Sequence, residues 1–430
     1  MSFKTGWTTS RRLMLGSAAL LLGTLVACGG GADRSKANLR FINASSGYAA
    51  LDLFVDDKRR FESIGYGESA TYVETEPDQM ASAIHRAGSA SPLLTLAPVV
   101  AKDQHYSVLA YGREGALASL LIDDNAEAAD SGKAKLRVVN AAPDAGELDV
   151  YLTGANEPLT GAVPLRASVK VGVLSEFSTL NSGDWRLRIT GAGDRKDLRL
   201  DLTGITLASR QVSTLVVTPT TGGVLVNALM LSQQAAITRH PVQHARVRAA
   251  APNAGTMQVL VRGVPLLNAV AAPVVSDYQL LPAGEQPVTV LINGTPLALP
   301  NVTLAAGTEL TLLVYTDRGV PAAVWLTDDN RPSVSASQAK LRLVHGRDGL
   351  VGALSAKVDF LPVPGEVTLP GVSAYTTVVA RDGARITVSQ AGDAAPVFEA
   401  TDQTFVAGAV YSVFVIEGVA PAAGFLRRDR

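Results

Sequence analysis

The chain is short of the residues that usually announce a chemistry. It has one cysteine in 430 residues, three tryptophans, and aromatics at only 5%. A single thiol has no partner for a disulfide, and it excludes cysteine-based zinc sites from the folded part. Charged residues make up 18%, with 38 basic against 39 acidic side chains and a net charge of −1. Without a basic excess to neutralise phosphates, a nucleic-acid partner is not expected. Sugar stacking would need exposed aromatics, yet only Trp185 and Trp325 lie beyond the N-terminal segment. No Gly-x-Ser-x-Gly elbow and no phosphate loop occurs. Residues 211–238 carry no charge, but Thr218-Pro219-Thr220-Thr221-Gly222-Gly223 interrupts them with turn chemistry. A hairpin explains that stretch better than a membrane span.

The N-terminus reads as a targeting segment. Lys4, Arg11 and Arg12 precede an uncharged apolar run from Leu13 to Ala27, which ends Leu25-Val26-Ala27-Cys28 before three glycines. A basic start and a short apolar run fit a signal peptide and are too short for a comfortable span. The whole segment resembles the bacterial lipoprotein signal. That resemblance implies cleavage before Cys28, a palmitate-type lipid on Cys28, and a membrane partner reached through that lipid. Gly29 stands where the inner-membrane retention signal has Asp, so the resemblance implies the outer membrane of the cell envelope. Ser10-Arg11-Arg12-Leu13 also resembles a twin-arginine signal, which leaves the export route open between the general secretory and twin-arginine systems. Removing the segment leaves 35 basic against 39 acidic residues.

Internal repetition sets the organisation. Leu39-Arg40-Phe41-Ile42-Asn43-Ala44, Leu136-Arg137-Val138-Val139-Asn140-Ala141, Ala245-Arg246-Val247-Arg248-Ala249-Ala250 and Leu341-Arg342-Leu343-Val344-His345-Gly346 open four repeats, 97, 109 and 96 residues apart. Each opening precedes an alternating run: Leu51–Val55, Leu148–Leu152, Met257–Val261 and Val358–Leu361. Asp123-Asp124-Asn125 and Asp328-Asp329-Asn330 recur 205 residues apart, each separated by eight residues from an Ala-Lys-Leu-Arg. The first two repeats therefore read as a duplicated pair with the last two. Period-two alternation dominates, so the expectation is all-β: four tandem immunoglobulin-like antiparallel sandwiches. The expected boundaries are a signal at 1–27, a tether at 28–37, and sandwiches at 38–131, 132–231, 240–331 and 337–430, with a polar hinge at 232–244.

The segment Arg137-Val138-Val139-Asn140-Ala141-Ala142-Pro143-Asp144-Ala145-Gly146-Glu147-Leu148-Asp149-Val150-Tyr151 resembles the opening of the bacterial domain-of-unknown-function family 4397 (DUF4397), found in tandem in secreted and surface-attached proteins. Repeat one keeps Asn43-Ala44-Ser45 and Leu51-Asp52-Leu53. Repeat three keeps Ala251-Pro252-Asn253-Ala254-Gly255 but has Gln258 for the strand aspartate. The resemblance implies an envelope β-sandwich and brings no catalytic residues.

Candidate sites are few. Asp123, Asp124, Asn125, Asp328, Asp329 and Asn330 offer hard oxygen ligands beside repeat boundaries, where Ca²⁺ is the cation they suit. The competing reading is a solvated strand end. His240 and His244 have metal-ligand spacing but fall in the expected hinge. The Pro143–Gly146 and Pro252–Gly255 elements read as turns, with a ligand-facing loop as the minority reading. The expected function is that of a lipid-anchored, non-enzymatic envelope protein binding or spacing an unknown protein or glycan. The alternatives are a surface-polysaccharide or calcium module and, behind them, an envelope hydrolase; no catalytic residue is nominated and no other cofactor is expected.

Overall fold

The structure is a computed structural model, and it describes residues 35–430 apart from 221, 351, 392–394 and 417–422. The signal segment and Cys28 lie outside the described residues. The described chain is almost entirely strand; its one helical element is the 3-10 turn Pro143–Ala145.

Each repeat folds as two sheets closed over one apolar core. In repeat one, Ala37–Asn43, His105–Arg113 and Ala116–Asp123 form one sheet, while Lys58–Gly65, Ala50–Val55, Ser82–Arg86 and Pro92–Leu96 form the other. Repeats two and four repeat that order with their own strands. Repeat three differs in that His244–Val261 runs unbroken from one sheet into the other. The turn expected at residues 252–255 is thus replaced by continuous strand in that copy, whereas Pro143–Ala145 does turn, closed by Gly146 at φ 67°. The fold is antiparallel with one regular exception. The opening strand of every repeat pairs in parallel with the penultimate long strand of the same repeat.

Alternation accounts for the core. Leu39 and Phe41 face inward in repeat one, as do Leu136 and Val138, Val247 and Ala249, and Leu341 and Leu343 in the others. The opposite face would be polar if each sandwich stood alone. It carries Ile42, Val139, Ala250 and Val344, and these are buried too. They pack repeat against repeat. Ile42, Leu109 and Ile122 meet Val139, Val216 and Leu229 between the first two repeats. Ala250, Leu313 and Leu326 meet Val344 and Phe414 between the last two. Equivalent strand positions build both joints, which is what a duplicated pair requires.

Three sequence alignments shift. The hydroxyl facing each opening arginine puts Arg248, not Arg246, in register with Arg40, Arg137 and Arg342. A slip of two keeps every side chain on its face, so alternation alone could not detect it. In repeat four the strand equivalent to Leu51–Val55 is Leu354–Val358, and Val358–Leu361 is its hairpin tip. The expected hinge is also partly strand: Ile237–His240 adds to the edge of the second repeat's sheet along Ala228–Leu231.

Candidate functional site

The repeat signature converges on the joints. In every repeat the opening arginine donates through Nε to a hydroxyl on the parallel strand beside it. The pairs are Arg40 to Ser107 at 2.6 Å, Arg137 to Thr214 at 3.0 Å, Arg248 to Thr311 at 2.9 Å and Arg342 to Ser412 at 2.9 Å. An aromatic ring covers each guanidinium at 4.5–4.8 Å: Tyr72, Phe177, Tyr278 and Tyr375. Such stacking suits a planar, weakly hydrated cation taken out of water.

A carboxylate completes the arrangement in three repeats. Asp124, Asp328 and Asp429 each lie 17 residues after their hydroxyl partner and accept its hydrogen bond. Tyr72 and Tyr278 also donate to Asp124 and Asp328, both at 2.7 Å. In the second pair the arginines then cross over. Arg248 of repeat three binds Asp429 of repeat four, and Arg342 of repeat four binds Asp328 of repeat three. All four side chains are buried. This is the reciprocal contact pattern of a two-fold interface built within one chain. Burial works against ionising Asp328, but Arg342 and then Arg248 outweigh it and hold its pKa below the usual carboxylate range.

The first pair keeps half of this. At the position of the aspartate, repeat two has Leu231, opposite Thr214. Its ring is Phe177, which has no hydroxyl to satisfy. Losing the acceptor and the donor together leaves no buried orphan. Arg40 pairs with Asp124 of its own repeat at 3.4 Å and donates across the joint to the Ala235 carbonyl at 2.7 Å, while Arg137 donates to the Asp123 carbonyl at 2.5 Å.

The calcium candidates are accounted for by these contacts. Asp124 and Asp328 serve arginines. Asp123 accepts from Asn125, and Asn125 clamps the backbone of His105. Asp329 pairs with Arg331 at 2.8 Å and Lys340 at 3.1 Å, and Asn330 donates to Tyr278. Among the described residues no group of three or more His, Cys, Asp or Glu is placed to hold a metal ion. His240 and His244 are partly enclosed, and burial lowers the pKa of both.

Two further signature residues are structural. Asn43 and Asn140 fold the chain back after the opening strand, each accepting from the backbone two residues on and donating to two carbonyls. Asp52 and Asp149 each accept two backbone N–H groups, tying together the strands on either side.

Sequence reading missed the rings, the hydroxyls and Asp429. The available signal was the fixed 17-residue spacing from hydroxyl to aspartate in three repeats.

Comparison with known proteins agrees with the repeats. No curated protein matches the chain. Among solved structures, the TIE protein of Bacillus anthracis aligns at 10% identity and TM-score 0.15, over 86% of this chain and 66% of that one. A putative cell adhesion protein from Bacteroides fragilis aligns at 13% identity and TM-score 0.16, over 69% of this chain and 100% of that one. The family model described as domain of unknown function DUF4397 matches residues 37–151 and 243–349, just over half of the sequence. The two matches open on the first and third repeats, at the start of each pair, and the chain belongs to the DUF4397 family.

Proposed function

We propose that the chain is a lipid-anchored, non-enzymatic protein of the cell envelope. Cys28 carries the lipid, the outer membrane holds it, and paired β-sandwiches bind or space a protein or glycan partner beyond the membrane. The observation that supports this reading is where the repeated polar residues go. Arg248 and Arg342 pair with Asp429 and Asp328 across the joint of the second pair, Arg40 and Arg137 reach backbone carbonyls across the joint of the first, and Asp124 holds Arg40 within its own repeat. Repetition of this kind conserves a spacer and its joints, not a catalytic cleft.

The test is fractionation of cells carrying Cys28→Ser, with metabolic labelling by a palmitate analogue. Label on the parent chain, and its loss together with release or an uncleaved precursor in the variant, are expected. An unlabelled parent, or a variant that stays membrane-bound after signal removal, contradicts anchoring. A hydrolase activity of the purified chain that depends on one side chain contradicts the non-enzymatic reading.

A further inference from the structure

Where repeats two, three and four meet, the surface encloses a cleft of about 850 Å³. It is large enough for a small organic ligand, since such sites run to roughly 300–1,000 Å³. Its lining contains seven basic side chains and four aspartates. Most of the charge is paired within the protein. Arg199 pairs with Asp197, Arg246 with Asp197 and Glu309, Arg248 with Asp429, and Arg427 with Asp277. Three cations are left over. Among the described residues no Asp or Glu carboxylate lies within ion-pair distance of Lys196, Arg428 or Arg430.

Arg430 is the most telling of these. Its guanidinium donates to the backbone carbonyls of Asp144 and Asn330. Gly146 lets it approach: a Cβ there would stand 2.9 Å from its Nη2. Burial, with Arg199 close by, lowers its pKa to about 10. Asp197, Glu309 and Asp144 act on it without reaching ion-pair distance, so burial and Arg199 prevail, and a desolvated cation of this kind is costly. Lys196 and Arg428 stand exposed on the same cleft, where a ligand could reach them. Arg428 uses Nε on the terminal oxygen of Arg430 at 2.9 Å and keeps the rest of its fork for other acceptors.

We propose that this cleft is a binding site for a small ligand carrying a phosphate-type oxyanion, held by Lys196, Arg428 and Arg430. Guanidinium forks match the paired oxygens of such a group, and lysine adds a point charge. Free phosphate and the phosphate of a lipid headgroup share this chemistry. The site does not depend on the lipid at Cys28, so the anchoring reading can fail while this one stands, and the reverse.

The experiment is isothermal titration calorimetry on the full chain in detergent, with inorganic phosphate and with glycerol phosphate as probes. Saturable binding that weakens as sodium chloride rises is expected from at least one probe. Inorganic phosphate binding the tighter assigns a free oxyanion; glycerol phosphate binding the tighter assigns a headgroup. The double variant Lys196→Glu, Arg428→Glu should lose about tenfold or more in affinity. The variant Lys196→Arg, Arg428→Lys keeps both charges and should still bind. No saturable binding of either probe, salt-insensitive binding, or a charge-reversed chain that binds as well as the parent overturns the proposal.

Discussion

Tyr278 and Tyr375 occupy equivalent places over equivalent arginines, but their hydroxyls differ. Tyr278 donates to Asp328 and accepts from Asn330, whereas the Tyr375 hydroxyl is buried without a partner. Removing the first leaves a buried carboxylate short of a donor; removing the second leaves nothing short. Tyr278→Phe should therefore cost about 1.5–3 kcal/mol, the range for hydrogen bonds to charged groups, and Tyr375→Phe about zero. Denaturant unfolding of the two variants checks this, and equal costs would contradict it. His345 stands where repeats one and two have Asn43 and Asn140, and it accepts from the Arg347 backbone at 3.4 Å. Burial, helped by Arg347, lowers its pKa to about 4 from 6.5. The folded state thus refuses a proton that the unfolded state takes up. Stability from this group is full above about pH 6.5, falls as pH drops toward 4, and levels off below. His345→Asn should flatten that part of the profile relative to the parent; identical profiles would contradict the assignment.

At the scale of single elements, the sequence was legible wherever alternation met a turn signal. The opening strands, the Leu51–Val55 and Leu148–Leu152 strands, and the hairpin at Asn293-Gly294 all lie as read. Two kinds of detail were not legible. A two-residue slip preserves the face of every side chain, so Arg246 and Arg248 are equal candidates until the partner strand supplies Thr311. Edge strands have one neighbour and need little apolar pattern, so Ile237–His240 reads as linker although it is hydrogen-bonded to Ala228–Leu231. The joint residues were visible as a motif but not as a site, because the Arg, its ring and its carboxylate come from distant strands. The edge strand carries a prediction. Proteases need a locally unpaired segment, so trypsin should not make its first cut after Arg239, despite that side chain's exposure. Mass spectrometry of early fragments checks this, and a first cut after Arg239 would restore the hinge.

For the whole molecule, the account rests on two pairs fastened by equivalent faces. The joint between repeats three and four adds two buried ion pairs to its apolar contacts. Breaking one partner of a buried pair costs about 3–5 kcal/mol, because the other charge stays behind uncompensated. Repeats one and two rely on Leu229, Leu231 and their neighbours for the same joint, so they should not feel such a change. Hydrogen exchange on the full chain with Arg342→Ala tests this most directly. Protection should fall together in strands from 244–328 and 338–428, on both sides of the joint, and remain as in the parent across 37–123 and 133–240. Loss confined to the fourth repeat, or spread evenly over all four, would contradict the pair as the structural unit.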